Sequence, residues 1–134
     1  MALEEQEKIK RQLLTPISIS PSGGLSSLET DGLNDWFWSS SSGLLNIQNY
    51  SGTDTRVVIT GSVDALNSGN LTISGPCKLE ITVSQQAENF RCDFVVPKNG
   101  AQLTFMSNNH KTDDRDPRDL RFRIVNLKVV EVQP

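Results

Sequence analysis

From Ile17 to Val132 apolar and polar residues alternate with a period of two, in short runs cut apart by Gly, Pro, Asn and Ser. That period sends successive side chains to opposite faces of an extended chain, so each run buries one face and wets the other. ISIS at 17–20, LSSLE at 25–29, WFW at 36–38, GLLNIQN at 43–49 and the β-branched TRVVITGSV at 55–63 follow the pattern. So do NLTIS at 70–74, KLEITV at 78–83, FRCDFVV at 90–96 and QLTFMS at 102–107. Pro21-Ser22-Gly23-Gly24, the turn-rich TDGLND at 30–35 and the serine run at 39–42 read as breaks between them, the serines as a loop. The last run, LRFRIVNLKVVEV at 120–132, shifts phase near Val125-Asn126, which predicts a bulge or bend there.

About nine short strands with turn signals about every 8–12 residues are the signature of an antiparallel sandwich. No intervening segment is long enough for a crossover helix, which excludes parallel βαβ units. The expected fold is therefore all-β, a jelly-roll-like antiparallel β-sandwich of about 8–10 strands. Its core is expected to hold Leu45, Ile47, Val57, Ile59, Leu71, Ile73, Leu79, Ile81, Val83, Phe90, Phe94, Leu103, Phe105, Phe122, Ile124 and Leu127, all in inward phase. Residues 3–14, LEEQEKIKRQLL, are instead rich in straight-chain helix formers, with Glu4–Lys8 and Glu7–Arg11 at i,i+4. Their apolar face, Leu3, Ile9 and Leu13, is thin, and Thr15-Pro16 ends the helix. The organisation expected is a helical linker at 1–14 and one β-sandwich domain at 15–134.

Length and charge narrow the function classes. A chain of 134 residues with 36% hydrophobic and 22% charged residues suits one packed domain. A net charge of −3 offers no field for nucleic acid. No stretch approaches the roughly 20 apolar residues needed to cross a bilayer, so direct membrane insertion is not expected. The N-terminus, Met1-Ala2-Leu3-Glu4-Glu5, is charged where a secretory leader is apolar. A cytoplasmic or cell-envelope-associated location is the expectation.

No catalytic constellation is visible. His110 is the single histidine and lies in the polar stretch SNNHKTDDRD, without a nucleophile motif beside it. Gly23-Gly24 lacks the lysine and helix of a phosphate-cradling loop. The acidic cluster Asp113, Asp114, Asp116 and Asp119 would offer oxygen ligands to a structural calcium. Arg115, Arg118, Arg121 and Arg123 lie among or just after it, so self-neutralising pairs are expected, and neither metal nor cofactor. Within that stretch Asp116 and Arg118 are assigned to a structural turn, because an Asp before proline commonly bonds the backbone that follows. Cys77 and Cys92 match no zinc spacing; both are in inward phase, read as buried thiols with a disulfide as the alternative. Asn49-Tyr50-Ser51 and Asn70-Leu71-Thr72 match the glycosylation sequon, which matters only in a secretory context.

The remaining feature is Asn34-Asp35-Trp36-Phe37-Trp38, which contains both tryptophans of the chain. In a strand the two indoles share a face, where they either close one end of the core or offer a plane to a sugar ring. As a ligand site the segment would use Trp36 and Trp38 for stacking and Asn34 and Asp35 for hydrogen bonds to hydroxyls.

Trp36-Phe37-Trp38-Ser39, Leu44–Asn49 and Thr55–Gly61 together resemble the opening of a small β-sandwich accessory domain found in bacterial glycosyltransferases and cell-envelope polysaccharide proteins. Val96-Pro97-Lys98-Asn99-Gly100, Leu103-Thr104-Phe105 and the close from Asp116 to Arg123 into Val125-Asn126-Leu127 continue the resemblance, which spans residues 15–132. It implies a non-catalytic accessory module near polysaccharide assembly that touches glycan. The functional expectation is thus a carbohydrate-binding module with a glycan or a neighbouring domain as partner; the alternative is a structural or protein-interaction sandwich with no small ligand.

Overall fold

The computed structural model describes residues 16–132. The helix expected within residues 1–14 lies outside them. The described chain is all-β: β1 Ile17–Leu25, β2 Glu29–Thr30, β3 Asp35–Asn49, β4 Thr55–Asp64, β5 Gly69–Ser74, β6 Leu79–Val83, β7 Glu88–Val96, β8 Ala101–Ser107 and β9 Phe122–Glu131. All the pairings are antiparallel, in the order β6-β5-β8-β3-β9-β4-β7, with β1 and β2 added on β3. The expected antiparallel sandwich is what forms.

The 15-residue β3 belongs to both layers. Its first part, Trp36–Ser39, pairs with β9, and its second part, Ser42–Ile47, pairs with β8. The strand changes partners across the serine run, which is therefore not the loop the sequence suggested. Small residues are what the crossing requires. Ser39 points inward and is fully buried. A Cβ on Gly43 would stand 2.5 Å from the Ser39 hydroxyl, and one on Gly24 of β1 would stand 1.8 Å from that of Ser40. The glycines of Pro21-Ser22-Gly23-Gly24 likewise let β1 run on to Leu25 instead of breaking, and Pro21 is tolerated because β1 is an edge strand. Of the strand expected at 25–29 only Leu25, at the end of β1, and Glu29, at the start of β2, are in strands.

The two inner faces share one core. Phe105, Phe122, Leu45, Ile47, Ile59, Leu71, Ile73, Leu103 and Ile124 are its largest buried members, as the alternation predicted. Leu79, Ile81 and Leu127 are only half-buried against it: β6 is an outer strand, and Leu127 follows the β9 bulge. Phe37, Val63, Cys92 and Val96 complete the core, and Phe37 rather than its tryptophan neighbours turns inward. The bulge is where the sequence placed it: Asn126 has φ 52°, and the register with β4 shifts between Thr60 and Ser62. Cys77 and Cys92 are joined as a disulfide, not left as buried thiols. The bond ties the β5–β6 turn to β7, near the two ends of the strand order, and draws the sandwich towards a closed barrel.

Candidate functional site

With Phe37 turned inward, alternation along β3 puts Trp36 and Trp38 on the outer face, half-buried. Register brings the rest of the site to them. Trp38 stands opposite Arg123 of β9, which stands opposite Asp64 of β4, so three residues from distant parts of the chain form one row. Arg123 donates from Nε and Nη2 to the two Asp64 oxygens at 2.8 and 2.7 Å. Its guanidinium carbon lies 5.5 Å from the Trp36 ring centroid and 5.6 Å from that of Trp38. A cation over an indole is attracted by the ring quadrupole, by about 0.5–2 kcal/mol as desolvation increases. The hydrogen bond to Asp64 holds the Arg123 pKa above its ordinary value, with burial opposing, so the group stays charged. Trp36 is fixed from its other end, its Nε1 donating to Glu29 Oε2 at 2.7 Å.

Beside this stack a cleft of about 490 Å³ opens, walled by Trp38, Asp64, Leu66, Gln85, Thr112 and Arg123, with Ala65 at its base. Leu66 and Trp38 give it apolar surface. Gln85 donates from Nε2 to the Leu66 carbonyl at 3.0 Å, which leaves its carbonyl oxygen for a ligand. The Thr112 hydroxyl is buried without a hydrogen-bond partner among the described residues. Thr112 is carried there by a clasp. Asn67 accepts from the His110 backbone N–H at 3.0 Å and donates to the His110 carbonyl at 2.9 Å, while buried Asn109 donates to the Asn67 carbonyl at 2.7 Å. The one carboxylate on the cleft is held by Arg123, so no free acid–base pair lines it.

The segment proposed from sequence is only partly brought together. Trp38 walls the cleft, and Trp36 lies with its ring centroid 5.5 Å from the Arg123 guanidinium carbon without lining the cleft. Asp35 instead shares a side with Phe37 and lines a separate depression with Ile19, Pro21, Leu28 and Leu127. Asn34 is engaged by Asn126, whose Nδ2 donates to its Oδ1 at 2.8 Å. Asp116 accepts from the Arg118 backbone N–H at 2.9 Å and pairs with its guanidinium at 3.1 Å. Asp113 with Arg115 and Asp119 with Arg121 repeat that two-residue pairing. Among the described residues no group of three or more His, Cys, Asp or Glu is arranged to hold a metal ion. Asp64, Gln85, Thr112 and Arg123 were not singled out as site residues by the sequence. Only the register of β4 on β9 on β3 reveals the first and last, and no local motif marks the others.

No family model and no curated protein matches this chain. Its fold is similar to those of carbohydrate-binding modules. One is the C-terminal family 6 module of a laminarinase from Zobellia galactanivorans, at 10% identity and TM-score 0.43, over 84% of this chain and 99% of that one. Another is the family 6 module of a lichenase from Cellvibrio mixtus in complex with cellotriose, at 11% identity and TM-score 0.45, over 85% and 91% of the two chains. A third is the family 22 xylan-binding domain from Paenibacillus barcinonensis, at 11% identity and TM-score 0.46, over 85% and 91%. At 10–11% identity these likenesses are of fold alone.

Proposed function

We propose that this chain is a non-catalytic carbohydrate-binding module whose site is the Trp38 cleft. The observation that carries the reading is the combination on one open wall of an indole, a carboxylate fixed by an arginine and a side-chain amide. A sugar ring packs its C–H face on an aromatic plane and gives its hydroxyls to nearby polar groups; Asp64 and the Gln85 carbonyl oxygen accept, while Arg123 donates. The site is open and carries one aromatic wall, so binding belongs in the millimolar to micromolar range, about −4 to −8 kcal/mol. The disulfide fits an oxidising compartment, which favours a cell-envelope or extracellular location over the cytoplasm. A place beside polysaccharide machinery accompanies this reading through the sequence resemblance alone.

The alternative, a structural or interaction domain without a small ligand, draws on the guanidinium lying over both indoles, which uses ring surface that a sugar would need. Titration of the wild type, Trp36→Phe and Trp38→Phe with oligosaccharide panels, followed by fluorescence, separates the two. Quenching or a blue shift that persists in Trp36→Phe and vanishes in Trp38→Phe supports the cleft. Silence toward every glycan leaves the structural reading.

A further inference from the structure

On the same outer face, two rows along β4 from Asp64, a second depression of about 550 Å³ sits against the β9 bulge. Its polar lining is Thr60, Ser62, Asn89, Arg91, Asn126 and Lys128. Register explains the grouping. Thr60 stands opposite Arg91 of β7 on one side and Lys128 of β9 on the other, so two cations flank one hydroxyl. Neighbouring strands are about 4.8 Å apart, which puts the two basic residues about 10 Å apart at the backbone, with their long side chains free to converge on one group between them. The next row places Asn89 beside Ser62 and Val125, and the row beyond holds Asp64, Arg123 and Trp38. A ligand lying along β4 would meet both depressions.

The charges of this face are not all matched. Arg56 is held by Asp93 through two bonds at 2.9 and 3.0 Å, and Arg123 is held by Asp64. Arg91 reaches only the already occupied Asp93, at 3.8 Å, and Lys128 makes no ion pair among the described residues. On a chain of net charge −3, the depression is thus a local reversal of sign. Thr60, Ser62 and Asn89 line the same depression, so hydroxyl and amide groups surround the two cations. Between these rows Gly61 leaves no room for a side chain: a Cβ there would come 3.1 Å from the Phe90 ring and 3.3 Å from the Val125 carbonyl.

We propose that this depression takes an oxyanion carried on a sugar, a uronate carboxylate or a sulfate ester, so that the module selects acidic polysaccharide. The proposal rests on the carbohydrate-binding reading of the cleft. Arg91 and Lys128 supply the charge, and Thr60, Ser62 and Asn89 supply the hydrogen bonds that fix its orientation.

The test is affinity electrophoresis and calorimetry of the intact chain against matched pairs: polygalacturonate and its methyl ester, alginate and its carboxyl-reduced form, carrageenan and its desulfated form. At least one acidic member should bind about tenfold more tightly than its neutral partner, and the preference should fade between about 50 and 500 mM NaCl as screening shortens. Preference within the first two pairs identifies carboxylate, and within the third, sulfate. The double variant Arg91→Gln/Lys128→Gln should lose the preference and keep the neutral affinity, whereas Trp38→Ala should lose both. Equal binding within every pair, or a preference that survives the double variant, overturns the inference and leaves the cleft reading standing. Silence toward all six glycans overturns both.

Discussion

Asn126 and Asn34 lie 92 residues apart and are joined side chain to side chain at 2.8 Å, Nδ2 of the first donating to Oδ1 of the second. The same Asn126 accepts from the Asp35 backbone N–H at 3.0 Å. It can do both because it occupies the left-handed region at the β9 bulge, a conformation that asparagine tolerates better than most residues. The bulge thereby sets the start of β3, and with it the height of Trp36 on the outer face.

Asn126→Ala should destabilise by about 2 kcal/mol, since it loses two hydrogen bonds and leaves an alanine strained at positive φ. Asn126→Gly relieves the strain and should cost about half as much. Urea unfolding of the two variants checks this; equal losses would remove the backbone part of the argument.

Phe105 and Phe122 are both fully buried, one in each layer. Replacing either by alanine should cost about 3–5 kcal/mol from lost transfer energy and the cavity left behind. Chemical denaturation is the measurement, and a loss under about 1 kcal/mol at both positions would contradict the packing described.

Inward and outward positions of most strands were legible because a period of two survives as long as one face is dry. Three things were not. The serine run at 39–42 has loop composition, yet tertiary crowding at the crossing makes small residues a requirement of the strand. The tryptophans obeyed the alternation, but nothing local says which of Trp36 and Phe37 faces in; that is settled by the row opposite, where Ile124 pairs with Phe37 and Val125 with Trp36. Asp64 meets Arg123 across 59 residues, and no spacing rule encodes such a meeting.

The disulfide closes a sequence separation of 15 residues, and a cross-link of that span is worth about 3 kcal/mol through the unfolded chain. Reduction, or Cys77→Ala, should lower stability by about that amount. Guanidinium denaturation with and without a phosphine reductant measures it; an unchanged midpoint would show that the bond does not constrain the chain.

Three carboxyls are held below the usual carboxylate range: Asp31 by the backbone N–H groups of Asn34 and Leu33, Asp93 by hydrogen bonding from Arg56, and Asp116 by hydrogen bonding from Arg118. A carboxyl depressed on folding adds stability above its unfolded pKa, near 3.9, and that contribution drains away as pH falls through the folded value. Asp31 and Asp93 are exposed and Asp116 is only half-buried, so each effect is small and screened by salt. From these groups stability should be flat between about pH 5 and 7 and fall below about pH 4, less steeply in Asp93→Asn. Thermal melts across pH at low salt test the sign; a rise in stability on acidification would contradict it.

Both terminal strands of the described chain, β1 and β9, pair with β3, and β3 is a member of each layer. Neither layer can therefore melt while the other persists, because releasing either one strips hydrogen bonds from the strand that the survivor needs. Such a molecule is expected to unfold in a single cooperative step, so that a ligand held on its outer face would be felt as added stability by the whole of it.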